Sequence, residues 1–133
     1  MLLRGGCHCG QVRYEVHGEP FDSTVCHCAD CRRVAAAPVV AWFSVPRTAF
    51  RFASGEPKRY ASSEPVLRTF CPECGTSLTY QHRDHPDEID VATCSLDAPA
   101  RVPPMHHTWT SDSLPWVVVA DGLPRYPQDA TDG

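Results

Sequence analysis

The spacing of the cysteines constrains this chain more than any other feature of its sequence. Eight cysteines occur in 133 residues, and seven fall into three tight clusters: Cys7-x-Cys9, Cys26-x-Cys28-x-x-Cys31 and Cys71-x-x-Cys74. A Cys-x-x-Cys turn closed by glycine puts two sulfurs on one side of a knuckle, where backbone amides can donate to them. Cys71-Pro72-Glu73-Cys74-Gly75 has that form and supplies two of the ligands a tetrahedral zinc needs. Cys7 and Cys9 are the natural second pair. Joining them closes a loop of about 60 residues, and a structural zinc contributes on the order of 10 kcal/mol in a small domain.

Cys26, Cys28 and Cys31 remain, three thiolates from one short loop. Three ligands leave a tetrahedron incomplete, and zinc with three protein ligands and an open position is the catalytic arrangement. A soft sulfur set also accepts a substrate thiolate as the fourth ligand. Three other readings stand beside this one. The cysteines could form a disulfide framework, which the clustering and the lack of an export signal disfavour. Cys94 or a histidine could complete the trio, making both sites structural. The trio could also be a metal-free redox cluster. Cys94 itself reads first as a buried neutral thiol.

Composition narrows the field. The length sets one domain, expected over residues 1–128, with a small polar tail at 129–133 expected to fray. Thirteen prolines and eight glycines point to turns and strands over long helices. No apolar run is long enough to span a membrane, and Met1-Leu2-Leu3-Arg4-Gly5-Gly6 turns polar too early for a signal peptide, so a cytoplasmic protein is expected. The formal net charge is −4 and basic residues cluster only at Arg32-Arg33 and Lys58-Arg59. With seven thiolates and two zinc ions the total moves to about −7. Neither figure suits general nucleic-acid binding, which needs a positive stripe.

Along the chain, Val12, Tyr14 and Val16 alternate with charged residues as the first strand. Ala29–Ala37 predicts about two helical turns, stopped before Pro38. Strands follow at Val39–Val45, around Phe50 and Phe52, at Leu67–Phe70, at Ser77–Gln81 and at Glu88–Cys94. The apolar run Trp116–Ala120 predicts a last strand. The order is that of one mainly β, mostly antiparallel domain.

Three segments now carry a resemblance: Gly6-Cys7-His8-Cys9-Gly10 before a strand, Cys26-His27-Cys28-Ala29-Asp30-Cys31-Arg32-Arg33, and Phe70-Cys71-Pro72-Glu73-Cys74-Gly75. With Ser95-Leu96-Asp97, His107-Thr108-Trp109 and Pro115-Trp116 in order after them, the chain from about residue 4 to 127 resembles the glutathione-dependent formaldehyde-activating enzyme family, whose domain centromere protein V shares. The resemblance implies a β-tent of antiparallel sheets with two zinc sites per chain. It places structural zinc on Cys7, Cys9, Cys71 and Cys74, and catalytic zinc on Cys26, Cys28 and Cys31. It implies a carbon–sulfur lyase joining glutathione and formaldehyde in S-hydroxymethylglutathione. A non-catalytic zinc module for a protein or nucleic-acid partner, or a thiol or metal sensor, is the alternative. One departure is plain: where the family usually has Thr-Gly or Ser-Gly, this chain has Val34-Ala35-Ala36-Ala37-Pro38.

The remaining candidates are weaker. Asp30 and Glu73 are possible acids by position alone, and surface carboxylates otherwise. His8 and His27 sit inside clusters whose cysteines already supply ligands, so a hydrogen-bonding role behind the metal is expected. His82 and His85 read as solvated. His106 and His107 read as a packed aromatic corner or a wall near the open site. Trp42, Trp109 and Trp116 read as core or pocket lining. Arg32 and Arg33 could attract the carboxylates of an anionic thiol or simply face solvent.

Overall fold

The alternation of Val12, Tyr14 and Val16 with polar neighbours does form a half-buried strand, and it lies at the centre of a small sheet. In the computed structural model, which describes residues 1–130, strands β1 (Leu2–Gly6), β2 (Arg13–His17) and β5 (Phe50–Ser54) form an antiparallel sheet in the order β1-β2-β5. The buried side chains of Leu3, Tyr14, Val16 and Phe50 line one face of it.

A larger sheet faces it. Strands β3 (Phe21–Cys26), β4 (Val40–Pro46), β6 (Lys58–Ser63), β7 (Val66–Phe70), β8 (Ser77–His82), β9 (Glu88–Ala92) and β10 (His106–Thr108) run in the order β10-β3-β4-β9-β8-β7-β6. All neighbours are antiparallel except β10, which is parallel to β3. Alternation splits this sheet into two faces. Phe43, Val45, Leu78, Ile89 and Val91 join the small sheet's residues in the main core, together with Cys7 and Cys71. On the other face Trp42 and Ala92 form a second cluster with Cys26 and Cys31, against Cys28, Val40, Tyr80 and Trp109. The fold is mainly β, as expected, with one α-helix, α1 (Ala29–Ala35), among the described residues.

Several boundaries differ from expectation. A strand precedes Val12, and Phe21–Cys26, Lys58–Ser63 and His106–Thr108 are strands that no clear alternation marks. The strand expected over Glu88–Cys94 stops at Ala92, and Thr93–Ser95 forms a 3₁₀ turn. Helix α1 ends at Ala35 because Ala36 turns left-handed, at φ 51°. The strand expected at Trp116–Ala120 is absent: Trp116 is 69% exposed and Val118 84%. The edge it could have paired with is taken by the chain around Arg125. His107 donates to the Pro124 carbonyl, and Tyr126 donates to the His107 carbonyl. Without a partner strand, a β-prone valine run has nothing to fix it.

Of the expected tail, residues 131–133 lie outside the described residues; Asp129 accepts a hydrogen bond from Trp109 Nε1 at 3.2 Å. No helix among the described residues is long and apolar enough to cross a membrane.

Candidate metal centres

Two turns bring the first four sulfurs together. Cys7 follows β1, and Cys71 follows β7. In each turn the chain reverses at a glycine with positive φ, Gly10 at 83° and Gly75 at 81°, a backbone that glycine adopts without strain. The Gly10 amide donates to the Cys7 carbonyl at 3.1 Å and the Gly75 amide to the Cys71 carbonyl at 2.9 Å. The sulfurs of Cys7, Cys9, Cys71 and Cys74 all lie within 4.8 Å of one another. Cys9 Sγ is 3.6 Å from Cys7 Sγ and 3.7 Å from Cys71 Sγ. Sulfurs about 2.3 Å from a tetrahedral metal stand about 3.8 Å apart, so the donor set fits a zinc-like ion.

The surroundings of this set suit thiolates. The Val12 amide donates to Cys7 Sγ at 3.2 Å, and the Glu73 and Cys74 amides both donate to Cys71 Sγ at 3.4 Å. Burial would push the Cys7 thiol up, but the Val12 amide and the neighbouring thiols outweigh it and hold it low. The Thr76 hydroxyl and amide lower Cys74 to about 5. Cys7 and Cys71 are buried in the main core, whereas Cys9 and Cys74 face solvent.

The trio is assembled differently. Cys26 ends β3, Cys28 caps the start of α1, and Cys31 lies in that helix's first turn. Their sulfurs lie within 4.8 Å of one another, and no fourth ligand from Cys, His, Asp or Glu joins them among the described residues. Cys26 and Cys31 are buried and Cys28 is half-buried, so Cys28 forms the open side. The Cys31 amide donates to Cys28 Sγ at 3.2 Å. Cys26 and Cys31 as S–H donors push Cys28 down to about 2 against the opposing effect of burial. The contacts with Cys28 and Cys31, with burial, raise Cys26; for Cys31 the lowering contact with Cys26 is outweighed by Cys28 and burial, which raise it.

Behind the trio runs a buried chain. His27 Nε2 lies 2.9 Å from His107 Nδ1, and His107 Nε2 lies 2.8 Å from Asp121 Oδ2. His27 is 1% exposed and His107 fully buried, so this chain fixes the peptide between Cys26 and Cys28. The Arg32 guanidinium also holds the His27 carbonyl, Nε to O at 3.2 Å.

On the other side is Arg68 of β7, 3% exposed, with Nη2 4.0 Å from Cys31 Sγ and its guanidinium 4.9 Å from the Tyr80 ring centre. The sequence offered no signal for Arg68 or Asp121. A charged residue in a strand reads as solvent-facing, and Asp121-Gly122 reads as a turn.

The seven clustered cysteines therefore fall into the two expected groups. Cys94 does not: it is exposed, on a 3₁₀ turn outside both groups, so the expectation of a buried thiol is corrected. Asp30 and Glu73 are exposed and outside both groups, though the Glu73 amide serves Cys71. The His8 side chain is exposed while its amide donates to Thr76 Oγ1. His106 is packed as expected, against Tyr126 and Thr24. Trp42 and Trp109 line the trio's cluster, but Trp116 lies on the surface, contrary to its expected lining role. Arg33 is exposed.

The family model described as glutathione-dependent formaldehyde-activating enzyme matches residues 2–112, spanning all seven clustered cysteines. The chain belongs to this family. A Halomonas elongata protein with the provisional name glutathione-dependent formaldehyde-activating enzyme is 26% identical over 134 residues, covering 90% of this chain and 82% of its own. An uncharacterized lyase of Schizosaccharomyces pombe is 31% identical over 78 residues, covering 59% of this chain and 56% of its own. A Rhodobacter sphaeroides protein of known crystal structure shares the fold, with a TM-score of 0.61 at 23% identity over 92% of this chain and 98% of its own. The family match ends before Asp121, the solvent end of the histidine chain.

Proposed function

We propose that this chain is a zinc-dependent carbon–sulfur lyase whose three-cysteine centre acts on a thiol adduct, with glutathione and formaldehyde as the substrates. The observation that carries the reading is the contrast in ligand number: four sulfurs close one group, and three leave the other incomplete beside a half-buried cysteine. The names of the family and of the Halomonas relative support the choice of thiol and aldehyde. In this reading Cys7, Cys9, Cys71 and Cys74 hold the structural ion, and Cys26, Cys28 and Cys31 hold the catalytic one.

A zinc ion at the trio would supply Lewis acidity that keeps a substrate thiol deprotonated near neutral pH. In the forward direction the thiolate sulfur attacks the aldehyde carbon. A carbon–sulfur bond forms, the π pair of the carbonyl moves to oxygen, and that oxygen takes up the proton released by the thiol. Cleavage is the reverse. The protein's own part is to hold the three sulfurs in place. The Cys31 amide fixes Cys28, and the His27–His107–Asp121 chain with Arg32 fixes the loop backbone. Trp42, Tyr80 and Trp109 supply an apolar wall around the sulfurs.

The test is exchange between free formaldehyde and S-hydroxymethylglutathione, followed by NMR on the zinc-loaded full chain. Native mass spectrometry should give two zinc ions for the wild type and one for Cys28→Ser. The variant should lose about a thousandfold of the catalysed exchange, the scale of several kcal/mol from a bound metal. A wild type with a single zinc and no effect on exchange would leave the partner-binding module as the better account.

A further inference from the structure

Arg68 is a buried cation without a carboxylate. Its side chain leaves β7 on the face that carries the trio, between β6 and β8, and is 3% exposed. Nε donates to Ser62 Oγ at 3.0 Å, Nη2 lies 4.0 Å from Cys31 Sγ, and the Tyr80 ring covers the guanidinium at 4.9 Å. Nη1 is buried with no partner at all, and no carboxylate lies within 4.0 Å among the described residues. A guanidinium cannot shed its proton in a protein, and an unpaired buried charge is among the most costly features a fold can carry. Ser62 and Tyr80 offer a hydroxyl and an aromatic face, neither of them a formal charge. Of the groups in contact with Arg68, only the trio's sulfurs can carry the opposing charge.

We propose that Arg68 is the charge-balancing residue of the three-sulfur centre and makes its open position selective for an anionic ligand, a thiolate, over a neutral one. This rests on reading the trio as an open metal site. Three thiolates and a divalent ion carry one net negative charge, which would repel a further thiolate. The guanidinium of Arg68 cancels it. Among the described residues no buried, unpaired cation touches the four-sulfur group: its sulfurs receive backbone amides and the Thr76 hydroxyl, and nearby Arg13 is already paired with Asp97. Arg68 is thus a positioning and specificity residue, acting on the ligand through charge.

The experiment uses the full chain loaded with cobalt(II), whose absorption bands report a change of ligand. The probes are 2-mercaptoethanol and imidazole at one fixed pH. In Arg68→Met, thiol affinity should fall about thirtyfold or more, while imidazole affinity stays within about threefold of wild type. Arg68→Lys, which keeps the charge, should retain a thiol-to-imidazole ratio within about threefold of wild type. If Arg68→Met does not fold, Arg68→Gln, which keeps a donor for Ser62, carries the same comparison. Equal weakening of both probes, or unchanged thiol affinity in the neutral variant, overturns the proposal. A wild type that takes cobalt at the four-sulfur centre alone overturns the proposed function and this inference together. Loading at both centres without the selectivity overturns this inference only.

Discussion

At the four-cysteine centre two ligands face solvent, two glycines relax the turns, and backbone amides attend the sulfurs. At the three-cysteine centre Cys26 and Cys31 are buried, a seven-residue helix carries Cys31 and is capped by Cys28, one amide (that of Cys31) reaches Cys28, and the other attending groups are side chains: Arg68, with a histidine pair behind. The first arrangement ties β1 to β7 and merges with the main core through Cys7 and Cys71. The second stands on the far face of the large sheet, in a smaller cluster of its own. Backbone amides survive every substitution except proline and suit a fixed structural joint. Side-chain charges suit a position that must accept and release a ligand. Under the proposed function, the same ligand atoms take different tasks according to what surrounds them.

The largest effect that could break this contrast comes from Cys71→Ser. Cys71 is fully buried in the core, and losing its site should remove on the order of 10 kcal/mol of folding energy. We expect a chain that fails to fold, read by circular dichroism, whereas Cys28→Ser melts near wild type. Equal melting temperatures for the two variants would erase the distinction between joint and reactive centre.

His107→Gln sharpens it further. Removing the ring that holds His27 should weaken metal at the trio by about ten- to a hundredfold and leave the four-sulfur centre unchanged, measured by chelator competition.

A smaller effect separates the two faces of the large sheet. Asp90 pairs with Ser44 at 2.6 Å on the trio's face, and burial raises its carboxyl to about 6. An acid raised in the folded state destabilises the fold once ionised, so the cost is present above about pH 6 and fades toward the unfolded value of 3.8. Asp90→Asn should therefore stabilise the protein by on the order of 1–2 kcal/mol at pH 7. The gain should shrink as pH falls through about 6 and vanish near 4, followed by denaturant melts across that range. A gain independent of pH would mean that packing, not charge, governs this face.

The smallest effect lies beside the trio. Ala36 ends α1 at φ 51°, a conformation in which glycine avoids a Cβ clash. Ala36→Gly should add about 0.5–1 kcal/mol in thermal melts. No gain would show that the turn after the trio is as relaxed as those at Gly10 and Gly75.

The cysteine clusters were legible in the sequence because a ligand spacing of two or three residues is local. A turn that presents two sulfurs together does so wherever it sits. The strands with clear alternation, such as Arg13–His17, were legible for the same reason, since a period of two needs only neighbours. Which pairs of clusters join was a weaker inference. It became a geometric fact only once β1 and β7 carried Cys7 and Cys71 to within bonding range of one ion. Val117-Val118-Val119 shows the limit in the other direction: a local preference for strand had no effect, because the β10 edge went to residues around Arg125.

Tertiary structure alone decided Arg68, Asp121 and Cys94. Arg68 is hydrophilic and sits in a strand, so its sequence neighbourhood places it in water; the sheet instead covers it with Tyr80 and the trio. Asp121 meets His107, and His107 meets His27 80 residues away, contacts that no periodicity encodes. Cys94 was left outside because the strand that carries its neighbours stops at Ala92. The sequence by itself determined which atoms could bind metal, since ligand chemistry and short spacing are properties of the chain. What those atoms face, amide or guanidinium, core or solvent, is a property of packing, and packing exists only after the chain has closed on itself.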